Sequence, residues 1–239
     1  MRGRLSGRSW KAWLAAAILA AAIVLVGGPY VYIHFVEGKA PAPLALASPS
    51  AAGGSGTGTS TQGGSGTDGT WKVSNGSLVG YRVQEVLFGQ SNVAVGRTSA
   101  VTGSITVTGT TIDAGTFTVD MTTVASDQNR RDAQFNGRIM ETGTYPTATF
   151  TPTKAIDLDS VPAQGTQRAY EVTGNLTLHG VTRTVTFKVT GRYTGSTLQV
   201  AGSIPVTFAD WNILNPSFGP VTTEDHGVLE FALTFTHSA

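Results

Sequence analysis

Residues 172–189 read VTGNLTLHGVTRTVTFKV. Val172, Gly174, Leu176 and Leu178 alternate with Thr173, Asn175, Thr177 and His179. Beyond His179-Gly180 the alternation resumes, with Val185, Phe187 and Val189 set against Thr184, Thr186 and Lys188. A two-residue period places every apolar side chain on one face of an extended strand. A two-residue break containing glycine joins two such strands as an antiparallel hairpin. The stretch therefore predicts paired strands, each with one buried and one solvated face.

The same period extends in both directions. Val101–Thr108 has it, as do Phe117, Val119 and Met121, then Leu198 through Phe208, and finally Leu229, Phe231, Leu233 and Phe235. Ser126–Met140 breaks it: Asp127 and Arg131, then Phe135 and Ile139, stand at i,i+4 behind a potential N-cap at Ser126. This predicts one short helix. Seven or eight amphipathic strands and one helix fit either a two-sheet sandwich or a closed up-and-down barrel. Periodicity does not choose between them.

The chain has 239 residues with 16 Lys+Arg against 15 Asp+Glu, a formal net charge of +1. That balance argues against a basic nucleic-acid binder. Cysteine is absent, which removes disulfide scaffolds, thiolate metal sites and thiol nucleophiles. Residues 1–69 hold five basic and two acidic groups, residues 70–239 eleven and thirteen, so the basic excess belongs to the N-terminus.

From Ala12 to Val36 no residue is charged, and Ala, Leu, Ile and Val dominate up to Ile33. Twenty-two helical residues span roughly 33 Å, about one hydrocarbon core. Arg2, Arg4, Arg8 and Lys11 precede the run. The expected organisation is a basic cytoplasmic segment (1–11), a transmembrane signal-anchor helix (12–36), a flexible Pro/Gly/Ser/Thr-rich linker (37–69) and an extracytoplasmic β domain (70–239). The alternative is secretion after signal-peptide cleavage at Ala45-Leu46-Ala47. A homodimer could form through an exposed strand edge or through the anchor, although the apolar run contains no G-x-x-x-G and so gives the second route little support.

Six further segments carry a family resemblance. They are Trp71; Ser77-x-Val79-x-Tyr81-x-Val83; Arg131-Asp132 followed by Phe135; Tyr145-Pro146-Thr147-Ala148-Thr149-Phe150; Gly174 through Arg183; and Asp210-Trp211-Asn212-Ile213. In this order they resemble the YceI-like family of extended lipocalin-like barrels that bind isoprenoid lipids or quinones. Two positions depart from the pattern: Glu85 and Gln134 stand where many members carry His.

The resemblance implies an eight-stranded antiparallel lipocalin-like barrel whose lumen holds one slim ligand. The residues expected to face inward are Val79, Tyr81, Val83, Phe117, Val119, Met121, Phe135, Phe150, Leu176, Leu178, Phe187, Ile204, Val206, Phe208, Trp211, Phe231 and Phe235. None is charged, so such a lumen rewards an apolar chain. A polyprenyl tail of about forty carbons, at roughly 0.3 kcal/mol per atom, would gain on the order of 12 kcal/mol. The implied function is a non-catalytic carrier of a polyisoprenoid, quinone or similar lipid, with no cofactor, no metal and no nucleic acid. The alternative is a structural or adhesion module with a filled core.

Other candidates are few. Arg131 is read either as a headgroup contact at the barrel mouth or as a partner of Asp127, with Asp132 bracing the helix. Tyr145 and Trp211 are expected to flank the same opening. His179 is expected to be a solvated turn residue. Glu224-Asp225-His226 looks like an acid/base group, but adjacent residues are expected to point apart. Asn75 and Asn175 match the glycosylation acceptor pattern by chance. No G-x-S-x-G, P-loop or dinucleotide fingerprint is present.

Overall fold

The computed structural model describes residues 7–31, 40–46, 67–87, 89–160, 162–219 and 221–238. The period-2 segments become twelve antiparallel strands: β1 (Gly69–Val73), β2 (Leu78–Leu87), β3 (Gln90–Thr98), β4 (Val101–Thr108), β5 (Thr111–Asp120), β6 (Thr147–Pro152), β7 (Ile156–Asp157), β8 (Gln167–Leu178), β9 (Val181–Tyr193), β10 (Thr197–Thr207), β11 (Val221–Thr223) and β12 (His226–His237). β12 pairs with β1 near one end (Phe235 opposite Val73) and with β2 further along (Leu229 opposite Tyr81). β1 pairs with β4, and β2 with β3. Thus β1 and β2 are two halves of one wall strand, as are β3 and β4. The circuit continues through β5, β6, β8, β9, β10 and β12 and closes on itself. The result is an eight-stranded antiparallel barrel with meander connections, which resolves the sandwich-or-barrel ambiguity.

The hairpin that opened the sequence reading runs in the expected register, with Leu178 opposite Val181 and Val172 opposite Phe187. Val172, Gly174, Leu176 and Leu178 are buried, whereas Glu171 and Asn175 are exposed. Inward glycines make room for rings. A Cβ on Gly174 would lie 2.4 Å from Phe150 Cζ, and one on Gly96 would lie 2.4 Å from Tyr81 Cε1.

The short helix differs from its expected span of 126–140. It is an α-helix over Asn129–Gln134, here α2, continued by a π-helical turn over Phe135–Ile139 in which the Met140 N–H bonds the Phe135 carbonyl at 2.8 Å. Ser126 is not its N-cap; Gln128 takes that position. The Asp132 carboxylate reaches back instead, accepting from Ser126 Oγ at 2.6 Å and Ser126 N at 2.8 Å.

Preceding the barrel, α1 spans Gly7–Val31. Among the described residues no helix is long and apolar enough to cross a membrane. The transmembrane span expected over 12–36 is therefore not supported: α1 covers 12–31 of it, and 32–36 lie outside the described residues. Ala12 through Val24 are exposed, Ile18 at 68% and Val24 at 69%. The linker expectation also changes in part. Ala40–Leu46 lies against the outer wall of the barrel, where Arg82 Nη2 donates to the Pro41 carbonyl at 2.7 Å. Residues 37–39 and 47–66 of that expectation lie outside the described residues.

Candidate functional site: an apolar barrel lumen

The inward faces enclose a cavity of about 820 Å³, near the upper end of the range for small-molecule pockets. Every residue of the expected inward set borders it except Trp211. The aromatic lining is mutually packed. Phe150 meets Phe187 edge-on at 5.3 Å, Phe187 meets Phe231 at 6.0 Å, and Phe117 meets Phe235 at 6.0 Å. The rings fix the shape of the wall without filling the space between them.

Polar groups line this cavity in two places: Arg192, which donates to Gln199 Oε1, on β9 and β10, and a larger set at the rim near α2. Glu85, Gln128, Arg130, Arg131 and Gln134 line it there, beside Phe218 and Val221. Arg131 Nη2 donates to Glu85 Oε1 at 3.2 Å, and Nη1 pairs with Asp127 in the turn before α2. Glu85 is 8% exposed and also accepts from Asn92 Nδ2 at 2.7 Å. Arg131 therefore makes the expected Asp127 contact and sits on the lumen rim as well. Asp132 caps the turn before α2. Gln134 accepts from Arg138 Nε at 3.1 Å.

Tyr81 stacks on Phe135 beneath this rim, with centroids 5.1 Å apart and planes 12° from parallel. Burial pushes its phenol well above the usual range, although the Arg131 charge pulls the other way. On β8, Tyr170 also borders the cavity. Its hydroxyl is withdrawn from water, and burial raises its pKa against the opposing charge of Arg168.

Trp211, Tyr145 and His179 form a separate cluster. Tyr145 meets the His179 ring at 4.5 Å, and His179 Nδ1 lies 3.1 Å from the Trp211 carbonyl, to which it must donate. Neither Tyr145 nor Trp211 borders the lumen, so they do not flank the Arg131 rim. His179, expected to be solvated, has a side chain only 8% exposed. Its φ of +49° turns the chain while its ring tucks inward.

The acidic triplet is corrected too. Glu224 and Asp225 converge on His226, at 3.2 Å and 2.8 Å. All three stand in solvent without a cleft, so the arrangement is a surface ion pair. Among the described residues no His/Asp/Glu group has metal-binding geometry.

Glu85 is the rim residue that sequence reading undervalued. The signal was its phase: it continues the inward series Val79, Tyr81, Val83 and points a carboxylate at an apolar lumen.

The YceI-like domain family matches residues 71–235. Among solved structures, a polyisoprenoid binding domain from Saccharophagus degradans, implicated in plant cell wall breakdown, is 16% identical. The match covers 71% of this chain and 98% of that one, with a TM-score of 0.57. A mutant YceI protein of Campylobacter jejuni is 15% identical over 60% of this chain and 85% of that one, with a TM-score of 0.50. At such identities the likeness establishes the fold. No curated protein sequence matches the chain.

Proposed function

This chain belongs to the YceI-like family, and from that premise we propose that it is a non-catalytic carrier holding one long apolar lipid, of the polyisoprenoid or isoprenoid-quinone class, in its lumen. The observation that carries this reading is the 820 Å³ cavity walled by Val, Leu and Phe side chains. A structural module with a filled core would leave no such volume, because protein interiors pack to crystal-like density. Burial of apolar surface supplies the affinity. Arg131 and Glu85, sharing the rim, are the groups placed to meet a polar headgroup, and the Tyr170 hydroxyl is a second polar point on the wall.

The proposal includes location at a membrane, with the barrel on the extracytoplasmic side. The uncharged run from Ala12 to Val36 and the exposure of Ala12 through Val24 support this reading. The four basic residues before Ala12 favour a cytoplasmic N-terminus.

Native mass spectrometry of the purified chain, followed by organic extraction, tests the carrier reading. The expected result is one lipid per barrel, removed by solvent and restored by an added prenol or quinone. A barrel that is empty as isolated and takes up neither compound overturns it.

A further inference from the structure

Glu230 occupies the outward phase of β12, between Leu229 and Phe231, which both line the lumen. A carboxylate there should be solvated, yet this one is 3% exposed. It accepts from Arg82 Nε at 3.2 Å and from Arg97 Nη2 at 2.7 Å. Two guanidiniums share one carboxylate, so donors are left over. They are used by a distant stretch of chain: Arg82 Nη2 donates to the Pro41 carbonyl at 2.7 Å, and Arg97 Nη2 donates to the Ala42 carbonyl. In return the Leu44 N–H donates to Glu230 Oε2 at 3.2 Å.

The apolar contacts agree. Leu44 and Leu46 are half-buried in a cleft shared with Ala201 and Val228. Ala201 lies in the outward phase of β10 but is buried, and its small side chain leaves room for the strap. Pro41 and Pro43 pre-set an extended backbone, which lowers the entropy lost on docking.

We propose that the outer wall carries a peptide groove built on Arg82, Arg97 and Glu230, and that Ala40–Leu46 is a latch seated in it that sets how far the barrel stands from α1. Ala40 is the ninth residue after Val31, where α1 ends, and Thr67 is the thirty-sixth. At about 3.5 Å per residue, the latched connection reaches at most ~32 Å and the released one ~125 Å. Only the consequence for membrane distance rests on the tethering proposed above; the latch itself does not.

The chain has no native cysteine, so paired nitroxides at Ala45→Cys and Thr116→Cys in the full chain test it by pulsed electron–electron resonance. The expected result is a single narrow distance peak. Both a strap variant, Leu44→Pro/Leu46→Gly, and a wall variant, Glu230→Gln, should broaden it at least twofold. The strap variant alters no barrel residue, so circular dichroism should remain unchanged.

A broad distribution in the unaltered chain overturns the latch, as does a narrow peak that survives in both variants. A peak that vanishes on mixing with excess unlabelled chain would place the strap on a second copy and also overturn it. Lipid content measured on the same samples should not change between variants. An empty barrel with intact distances would count against the carrier reading alone.

Discussion

The Arg131 guanidinium meets the Glu85 carboxylate at 3.2 Å, a contact spanning 46 residues that ties α2 to the rim of β2. Both side chains are largely withdrawn from water, at 16% and 8% exposure. Removing one member of such a pair strands the other, whereas a surface pair would barely register. Arg131→Ala should therefore lower stability by about 2–4 kcal/mol in urea unfolding. Glu85→Gln, which keeps a hydrogen-bond acceptor, should cost less. Lipid affinity separates the two roles of the arginine. Under the headgroup reading, Arg131→Ala weakens binding in a barrel that is still folded at the assay temperature. A variant that melts earlier but binds equally well would reduce Arg131 to a brace.

Gly174 faces inward beneath the Phe150 ring, with the Thr151 carbonyl 2.6 Å from where a Cβ would stand. Backbone cannot yield as a side-chain tip can, so Gly174→Ala should destabilise by about 1–3 kcal/mol through overpacking. Thermal unfolding of this single variant checks it. An unchanged midpoint would mean that the wall is softer than drawn.

The strands on either side of His179 were legible because one face is wet and the other dry, and Leu176 and Phe187 carry that contrast in their spacing. Closure was not legible. It depends on Phe235 lying opposite Val73, a pairing between the two ends of the domain that no local period encodes. The π-helical turn at Phe135–Ile139 was hidden for a related reason, since i,i+4 spacing reads as α-helix whichever carbonyl the N–H finally chooses. Glu230 has the outward phase of β12 and is nevertheless buried. What covers it is Ala40–Leu46, a segment whose composition spoke only of flexibility.

His226 donates to Asp225 and lies beside Glu224, and its pKa is raised by the Asp225 hydrogen bond first and then by the two carboxylate charges. The Asp225 pKa is correspondingly lowered. A raised imidazole pKa means that its contribution to stability is complete below the unfolded value of about 6.5 and is lost as pH rises through the folded value. A lowered carboxylate pKa contributes above its unfolded value and is lost as pH falls through the folded one. The pair therefore favours the folded state in the mildly acidic window between them. An NMR titration should place His226 above 6.5, and Asp225→Asn should bring it back towards that value. A titration that Asp225→Asn does not move would refute the assignment.

The Tyr170 hydroxyl is withdrawn from water on the cavity wall, where Arg168 is the cation acting on it. Tyr170→Phe should leave the lipid-free barrel as stable as before or stabilise it by up to ~1 kcal/mol. If a ligand's polar group uses that hydroxyl, the same change should lower affinity severalfold. Equal stability with equal affinity would show that no ligand group uses the Tyr170 hydroxyl.

Val200 sits on β10 facing the cavity and is only partly buried. In a filled core, enlarging it would force neighbours off their rotamers at a cost of about 1–3 kcal/mol. Beside an empty lumen the new atoms occupy space already available. Val200→Phe should accordingly cost under ~1 kcal/mol while shortening the room for a lipid tail and weakening prenol binding at least tenfold. The two readouts must part company. A large loss of stability together with unchanged binding would show that Val200 belongs to a packed core and that the lipid, if there is one, lies elsewhere.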